Sequence, residues 1–147
     1  MQPAEVNLSD HTTWNNARPD ALVPFITATY RYGNNPSPWR PWDDEIMAVE
    51  TDVSGGDVEV WRFAQHRSDV RSDTDPSQVA FWYEPRPNVS MNGRWVLFTS
   101  NWEKTLGTDP HADATQRARQ DVFLLQLKAP FERGCGDSGL PRARGCQ

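Results

Sequence analysis

Two stretches of the chain carry apolar residues on both faces of a strand. Arg94–Ser100 reads Arg-Trp-Val-Leu-Phe-Thr-Ser, with Trp95, Val96, Leu97 and Phe98 in one unbroken run. That pattern predicts an interior strand covered on both sides. Asp121–Leu127 has the same character and a strand's length. Asn92-Gly93 stands just ahead of the first run. This dipeptide tolerates φ > 0 at both positions, as a two-residue hairpin turn requires, so Phe81–Ser90 is expected to lead through it into Arg94–Ser100. From Glu103 to Gln120 the chain is polar and holds Gly, Pro and several charges, which predicts a long loop with a helical turn around Asp113–Arg119.

A second group of strands lies upstream. Glu45–Asp52 alternates loosely and meets the turn residues Ser54-Gly55-Gly56-Asp57. Val58–Gln65 then alternates more cleanly, with Val58, Val60 or Trp61, and Phe63 on the expected buried side, so the two segments form a hairpin. Leu22–Tyr32 reads as a strand that ends at Gly33-Asn34-Asn35-Pro36, with Pro24 at its first residue or on an edge. Asn7–Trp14 reads as a short strand before the turn-like Asn15–Pro19. Four strands and then three result, and a unit of four strands in roughly 40–50 residues is the repeat of a β-propeller blade. The expected fold is therefore all-β: a β-propeller fragment of about two antiparallel blades with long loops. The first blade spans 1–68, an incomplete second blade 69–129, and a flexible tail 130–147.

Composition adds to this picture. The 147 residues suffice for one ordinary domain, and the mean hydropathy of −0.75 is that of a polar chain. A disordered chain of that polarity would lack aromatics, yet this one has seven Trp, six Phe and three Tyr, so it folds around buried rings. Twelve Pro and nine Gly interrupt it too often for long helices. The net charge is −5, with acids and bases interleaved, so no basic stripe is available to meet nucleic-acid phosphates. No apolar stretch approaches the ~20 residues that span a bilayer. Met1–Asp10 has no positive region followed by an apolar one, so no signal peptide is expected in this chain; the leader of an exported parent would lie upstream. The only two cysteines, Cys135 and Cys146, fall in the Gly- and Arg-rich tail. There a disulfide in an oxidising compartment and free thiols in a disordered tail both stand as readings.

Ser90-Met-Asn-Gly-Arg-Trp-Val-Leu-Phe-Thr-Ser-Asn101, followed by Asp121-Val-Phe-Leu-Leu-Gln-Leu127, resembles the repeat of TolB-like, WD40-like β-propellers. That repeat reads Ser-Pro-Asp-Gly-Arg, an apolar strand ending in Phe-Thr-Ser, then Asp-Val-Tyr. Met91 stands here for Pro and Asn92 for Asp, which preserves the turn chemistry. Glu45-Ile-Met-Ala-Val with Val60-Trp-Arg-Phe-Ala looks like the outer strand pair of the preceding blade. The resemblance covers residues 7–129. It implies a bacterial parent in the periplasm or outside the cell. It also implies that a strand from the other terminus completes the second blade. A closed ring needs about four blades or more, so the open blade faces are expected to be apolar and the last strand to carry an unpaired edge. The implied partners are the missing blades or another copy of the chain.

Within these propellers, the chain is also distantly similar to oligogalacturonate lyases. Those enzymes hold a divalent metal on histidines at the central end of the ring and cleave acidic oligosaccharides by β-elimination. His11-Thr-Thr-Trp14 is similar to a His-x-x-Trp step of that family, and His66 falls near a blade junction. Glu84-Pro-Arg-Pro-Asn88 has Arg86 and Asn88 where that family places further histidines. The soft nitrogen donors a transition metal prefers are then absent, which leaves His11 and His66 as the weak metal candidates. His11, His66 and Arg86 are expected to converge near the axis, with Arg86 gripping a carboxylate in bidentate fashion. Alternatively, His66-Arg67-Ser68 is a solvated turn and Arg86 pairs with Glu84 or Asp69. Trp39 and Trp42, flanking Arg40-Pro41, are candidates for stacking on a sugar. Asp109-Pro-His-Ala-Asp113 lacks the ligand spacing of a calcium loop and reads as a solvated acidic loop. Asn88-Val-Ser90 fits a glycosylation acceptor but lies against a hairpin in a bacterial-type sequence.

Two functions follow. The first is a non-catalytic binding or scaffold module for protein or glycan, with no cofactor. The alternative is the remnant of a metal-dependent polysaccharide lyase.

Overall fold

Phe25–Arg31 and Glu45–Val49 are almost continuously buried, which is the mark of central strands. In the computed structural model, which describes residues 8–14, 24–31, 42–52 and 54–127, they are β2 and β3 of a four-stranded antiparallel sheet. Its edges are β1 (Leu8–Thr13) and β4 (Val60–Gln65), and the strands are ordered as they follow in the chain. A second antiparallel sheet comprises β5 (Asn88–Val89), β6 (Trp95–Ser100) and β7 (Asp121–Gln126), with β6 in the middle. One turn of 3-10 helix, Phe81–Tyr83, is the only helix among the described residues. None is therefore long and apolar enough to cross a membrane. Over the described residues the protein is all-β, in two sheets of four and three strands.

The sheets pack face to face because alternation gathers their apolar residues on facing sides. Ile26 lies opposite Ala48 and Ala28 opposite Ile46, so all four share one face of the first sheet. They form one core with Val89, Val96, Phe98 and Leu127, and Trp61, Phe63, Phe123 and Leu125 close its margins. Full burial of a side chain such as Ile26 or Ile46 contributes about 1.5–3 kcal/mol. A second cluster packs Val70, Ala80 and Tyr83, from the segment between β4 and β5, against Tyr30 of β2.

Several expectations need correction. Phe81–Ser90 does not form one strand: a helical turn comes first, and only Asn88–Val89 pairs with β6. Pro85 and Pro87 lack the N–H a ladder requires, which shortens the strand to its last residues. The turn into β6 has positive φ at Gly93 (67°) but not at Asn92, so it is not the two-residue type. Gly93 N–H instead donates to Ser90 O at 2.8 Å, and Ser90 N–H to Trp95 O at 2.9 Å. The Asn92 carboxamide oxygen accepts from Ser90 Oγ and Arg94 N–H, which holds the loop from within.

In β4 the inward residues are Trp61 and Phe63, whereas Val58 and Val60 are exposed. A register shift opposite Ile46 and Met47 brings Ala64, as well as Phe63, to the half-buried side. β6 is central in its sheet but covered on one face only: Val96 and Phe98 are buried, while Trp95 and Leu97 are exposed. No helical turn forms around Asp113–Arg119; a bridge between Thr108 and Ala118 closes that loop instead. The tail 130–147, with Cys135 and Cys146, lies outside the described residues.

Candidate functional site

Proline on both sides stiffens the short stretch that carries the site. Pro85 and Pro87 fix the backbone around Arg86, directly after the helical turn Phe81-Trp82-Tyr83. Tyr83 is buried and anchors that turn. Its hydroxyl donates to Asp73 Oδ2 at 2.6 Å and accepts from Ala118 N–H at 2.5 Å. Burial, and then the hydrogen bond to Asp73, push the phenol well above its ordinary value, so it stays protonated as a donor. Burial works against the Asp73 carboxylate. Hydrogen bonds from Lys104, Tyr83 and the Arg117 N–H outweigh it and hold the carboxyl below its ordinary value.

With Tyr83 fixed inward, Phe81 and Trp82 are turned outward. They are 57% and 58% exposed and meet edge to face at 5.1 Å between centroids. The Arg86 guanidinium lies 4.0 Å from the Phe81 ring centre and 5.1 Å from that of Trp82, within cation–π range of both. Its Nη2 donates to Phe81 O at 2.8 Å. The long loop frames the other side: Trp82 N–H donates to Gln116 Oε1 at 3.2 Å, and Gln120 Nε2 donates to Trp82 O. The result is a rigid platform of two rings and one guanidinium.

Beside it, the two sheets are joined through a carboxylate. His11 lies opposite Ala28 on β1, on the face that meets the second sheet, and its ring stacks on Tyr30 at 6.0 Å. His11 Nε2 is 2.7 Å from Glu84 Oε2, and Arg86 Nη2 is 3.5 Å from the same oxygen. Glu84 is thus the acceptor between two basic groups at the seam of the sheets.

The sequence-derived candidates part company here. His11 and Arg86 do converge, through Glu84, and Arg86 pairs with Glu84, while Asp69 pairs with Arg71. His66 is not a solvated turn residue: it is fully buried, and both ring nitrogens are engaged. Nε2 donates to Thr29 O at 2.8 Å, and Nδ1 accepts from Ser68 N–H at 2.9 Å. This fixes the neutral tautomer. Burial lowers its pKa, against the opposing pull of Asp44 and of the bond to Thr29 O. The lone pair a metal would need on Nδ1 is already taken by the Ser68 amide.

Asn88 is exposed on β5 opposite Leu97, so it shares Leu97's outward face rather than the seam. Trp14 and Trp42 are 56% and 42% exposed, and Trp39 lies outside the described residues. Asp109 and Asp113 accept hydrogen bonds from the residues two positions on and cap their own loop turns. No group of three or more His, Cys, Asp or Glu side chains that could hold a metal ion occurs among the described residues.

Phe81, Trp82 and Glu84 were not among the candidates. Their signal was present as three consecutive aromatics ahead of Glu-Pro-Arg-Pro, which no single strand can bury. No protein-family model, curated protein or solved structure matches the chain.

Proposed function

We propose that the chain is a two-blade β-propeller segment and acts as a non-catalytic binding module. Its ligand-facing surface is Phe81, Trp82 and Arg86, backed by the His11–Glu84 pair. The observation that carries this reading is the pair of rings left more than half exposed while proline, Tyr83 and Arg86 hold them rigid. Exposed Trp and Arg side chains that are already ordered lose little freedom on binding, and these residue types dominate interaction hot spots. The ligand is a protein segment or a glycan, since each offers an apolar face for the rings and polar groups for the guanidinium. Two consecutive meander sheets stacked face to face support the blade reading, as does the apolar face that the second sheet leaves open. By its resemblance to exported propellers, the protein works in the periplasm or outside the cell.

Tryptophan fluorescence during titration with neutral and acidic oligosaccharides, together with binding to a peptide array, tests the proposal. Wild-type protein should give a saturable response to one ligand class, and Trp82→Ala and Arg86→Ala should lose it at least tenfold without change in the far-UV spectrum. A response equal in all three proteins would remove the platform from consideration. Release of an unsaturated uronate from oligogalacturonate, followed by ultraviolet absorbance, would favour the lyase alternative instead.

A further inference from the structure

A fully buried histidine is joined to the ring platform through a single serine. His66 Nδ1 accepts from the Ser68 N–H at 2.9 Å, and Ser68 Oγ donates to Tyr83 O at 2.5 Å. Tyr83 ends the helical turn that carries Phe81 and Trp82, and Glu84 follows it directly. Ser68 is buried like His66, and between them Arg67 is held in the left-handed region at φ 55°. That conformation strains a non-glycine residue. The peptide joining Arg67 to Ser68 is braced from both sides, its carbonyl by the Glu103 N–H at 2.6 Å and its N–H by the His66 ring.

We propose that this brace is a pH-responsive device: a proton taken from solvent onto His66 Nδ1 pushes Ser68 off the ring, releases Tyr83 O and so loosens the platform of Phe81, Trp82 and Arg86. An imidazolium has two donors and no acceptor. Its Nδ1–H would face the Ser68 N–H across 2.9 Å, so one of the two must move. The ring stays. Asp44 Oδ1, 3.9 Å from Nε2, attracts the cation, and Thr29 O still accepts from Nε2. Arg31, paired with the same carboxylate at 2.8 Å, opposes the charge; Asp44 and Arg31 are the charged groups that act on the ring. Ser68 is the partner that gives way, because relaxation of Arg67 carries it off the ring. The change stays local. Asn101 holds Asp69 by both its N–H and its carbonyl, and the Tyr83 hydroxyl keeps its bonds to Asp73 and the Ala118 N–H. Histidine changes charge close to neutral pH, and burial delays the proton here, so the device acts on the acid side. It regulates the ligand surface proposed for this protein and rests on that reading.

Fluorine NMR of the full chain labelled with fluorotryptophan tests the device without any ligand. The Trp82 resonance is assigned by its absence from Trp82→Phe. In the wild type it should shift below about pH 6.5, and at a higher pH than the loss of the far-UV signal. Ser68→Ala lacks the link to Tyr83, so at about pH 7 its Trp82 resonance should already sit near the acid position of the wild type and stay there as pH falls. His66→Asn places an oxygen near the site of Nδ1, which accepts from the Ser68 N–H and takes up no proton, so its resonance should keep the neutral position. His11 is unchanged in that variant, so a shift driven by His11 would persist there and overturn the proposal. A wild-type resonance that is constant until the far-UV signal falls would overturn it too, as would a Ser68→Ala protein that responds to pH like the wild type. If His66→Asn does not fold, Ser68→Ala decides alone. Failure of the platform to take any sugar or peptide would sink the binding reading and leave this measurement untouched.

Discussion

His11 Nε2 on β1 and Glu84 Oε2 at the approach to β5 lie 2.7 Å apart and join the two sheets across 73 positions of sequence. The histidine is about one-third exposed, whereas the carboxylate is mostly buried. Exposure keeps the direct attraction modest, at about 0.2–1 kcal/mol. Its structural value is orientation: Glu84 held by His11 also faces Arg86 and so helps to fix the platform of Phe81 and Trp82. A double-mutant cycle of His11→Ala and Glu84→Gln, read by urea denaturation, should give a coupling of about 0.5 kcal/mol. His11→Ala should also loosen Arg86, seen as altered fluorescence of Trp82 against a Trp82→Phe control. Strict additivity would mean that the contact carries nothing.

His66 makes stability depend on pH in a defined direction. Its folded pKa lies below the ordinary value of 6.5 because burial disfavours the charged ring. As pH falls below about 6.5, the unfolded chain takes up a proton that the native chain refuses, so native stability falls. The loss continues until the lowered folded pKa is reached. The thermal midpoint should drop between pH 7 and pH 5, and the His66 ring resonances should shift only below the ordinary histidine value of 6.5. His66→Gln should be less stable at pH 7 and show a shallower slope over the same interval.

Asp73 supplies the opposite case. Its folded pKa is below the ordinary 3.8, so its contribution is complete above that value and is lost as pH falls through the folded pKa. Because its oxygens accept from Tyr83, Lys104, Arg117 and Ala118, Asp73→Ala leaves several donors unpaired. A destabilisation of about 2–3 kcal/mol is expected. Tyr83→Phe should cost about 1 kcal/mol. Acid unfolding of wild type and Asp73→Asn should converge at low pH, where the wild-type carboxylate is itself protonated.

The turn after β6 holds three consecutive non-glycine residues in the left-handed region, Trp102 (φ 47°), Glu103 (φ 58°) and Lys104 (φ 61°). Each such residue costs roughly 1–2 kcal/mol relative to the right-handed region. The Glu103 N–H donates to Arg67 O at 2.6 Å, Arg67 pairs with the Glu103 carboxylate at 2.9 Å, and Trp102 stacks on Phe123 at 4.9 Å. These contacts offset the strain. The ion pair is exposed, so Glu103→Gly loses little electrostatic energy while relieving the strain, and it should raise stability by about 0.5–1 kcal/mol. A fall in the urea midpoint would show that the contacts of Glu103 outweigh its backbone strain.

Patterning made the strands legible. Glu45–Val49, Trp95–Ser100 and Asp121–Gln126 lie inside the expected segments because runs of β-branched and aromatic residues between turn signals have few other uses. Local pattern failed where proline and a helical turn broke up Phe81–Ser90, and that break is what exposes Phe81 and Trp82. Of the seam, His11 and Arg86 were legible as chemistry-bearing residues. Glu84 was seen only as a neighbour of Arg86, because its link to His11 depends on how two sheets meet.

By itself the sequence determined the all-β character, the grouping into four strands and three, and the hairpin at Ser90–Trp95. These rest on alternation and turn chemistry, which act between near neighbours. Only the tertiary structure decided that His66 is an internal brace, that Glu84 joins His11 to Arg86, and that Trp95, Leu97, Val122 and Leu124 share an uncovered wall. Burial and pairing of that kind are set by which faces pack together, a relationship between residues far apart in the chain.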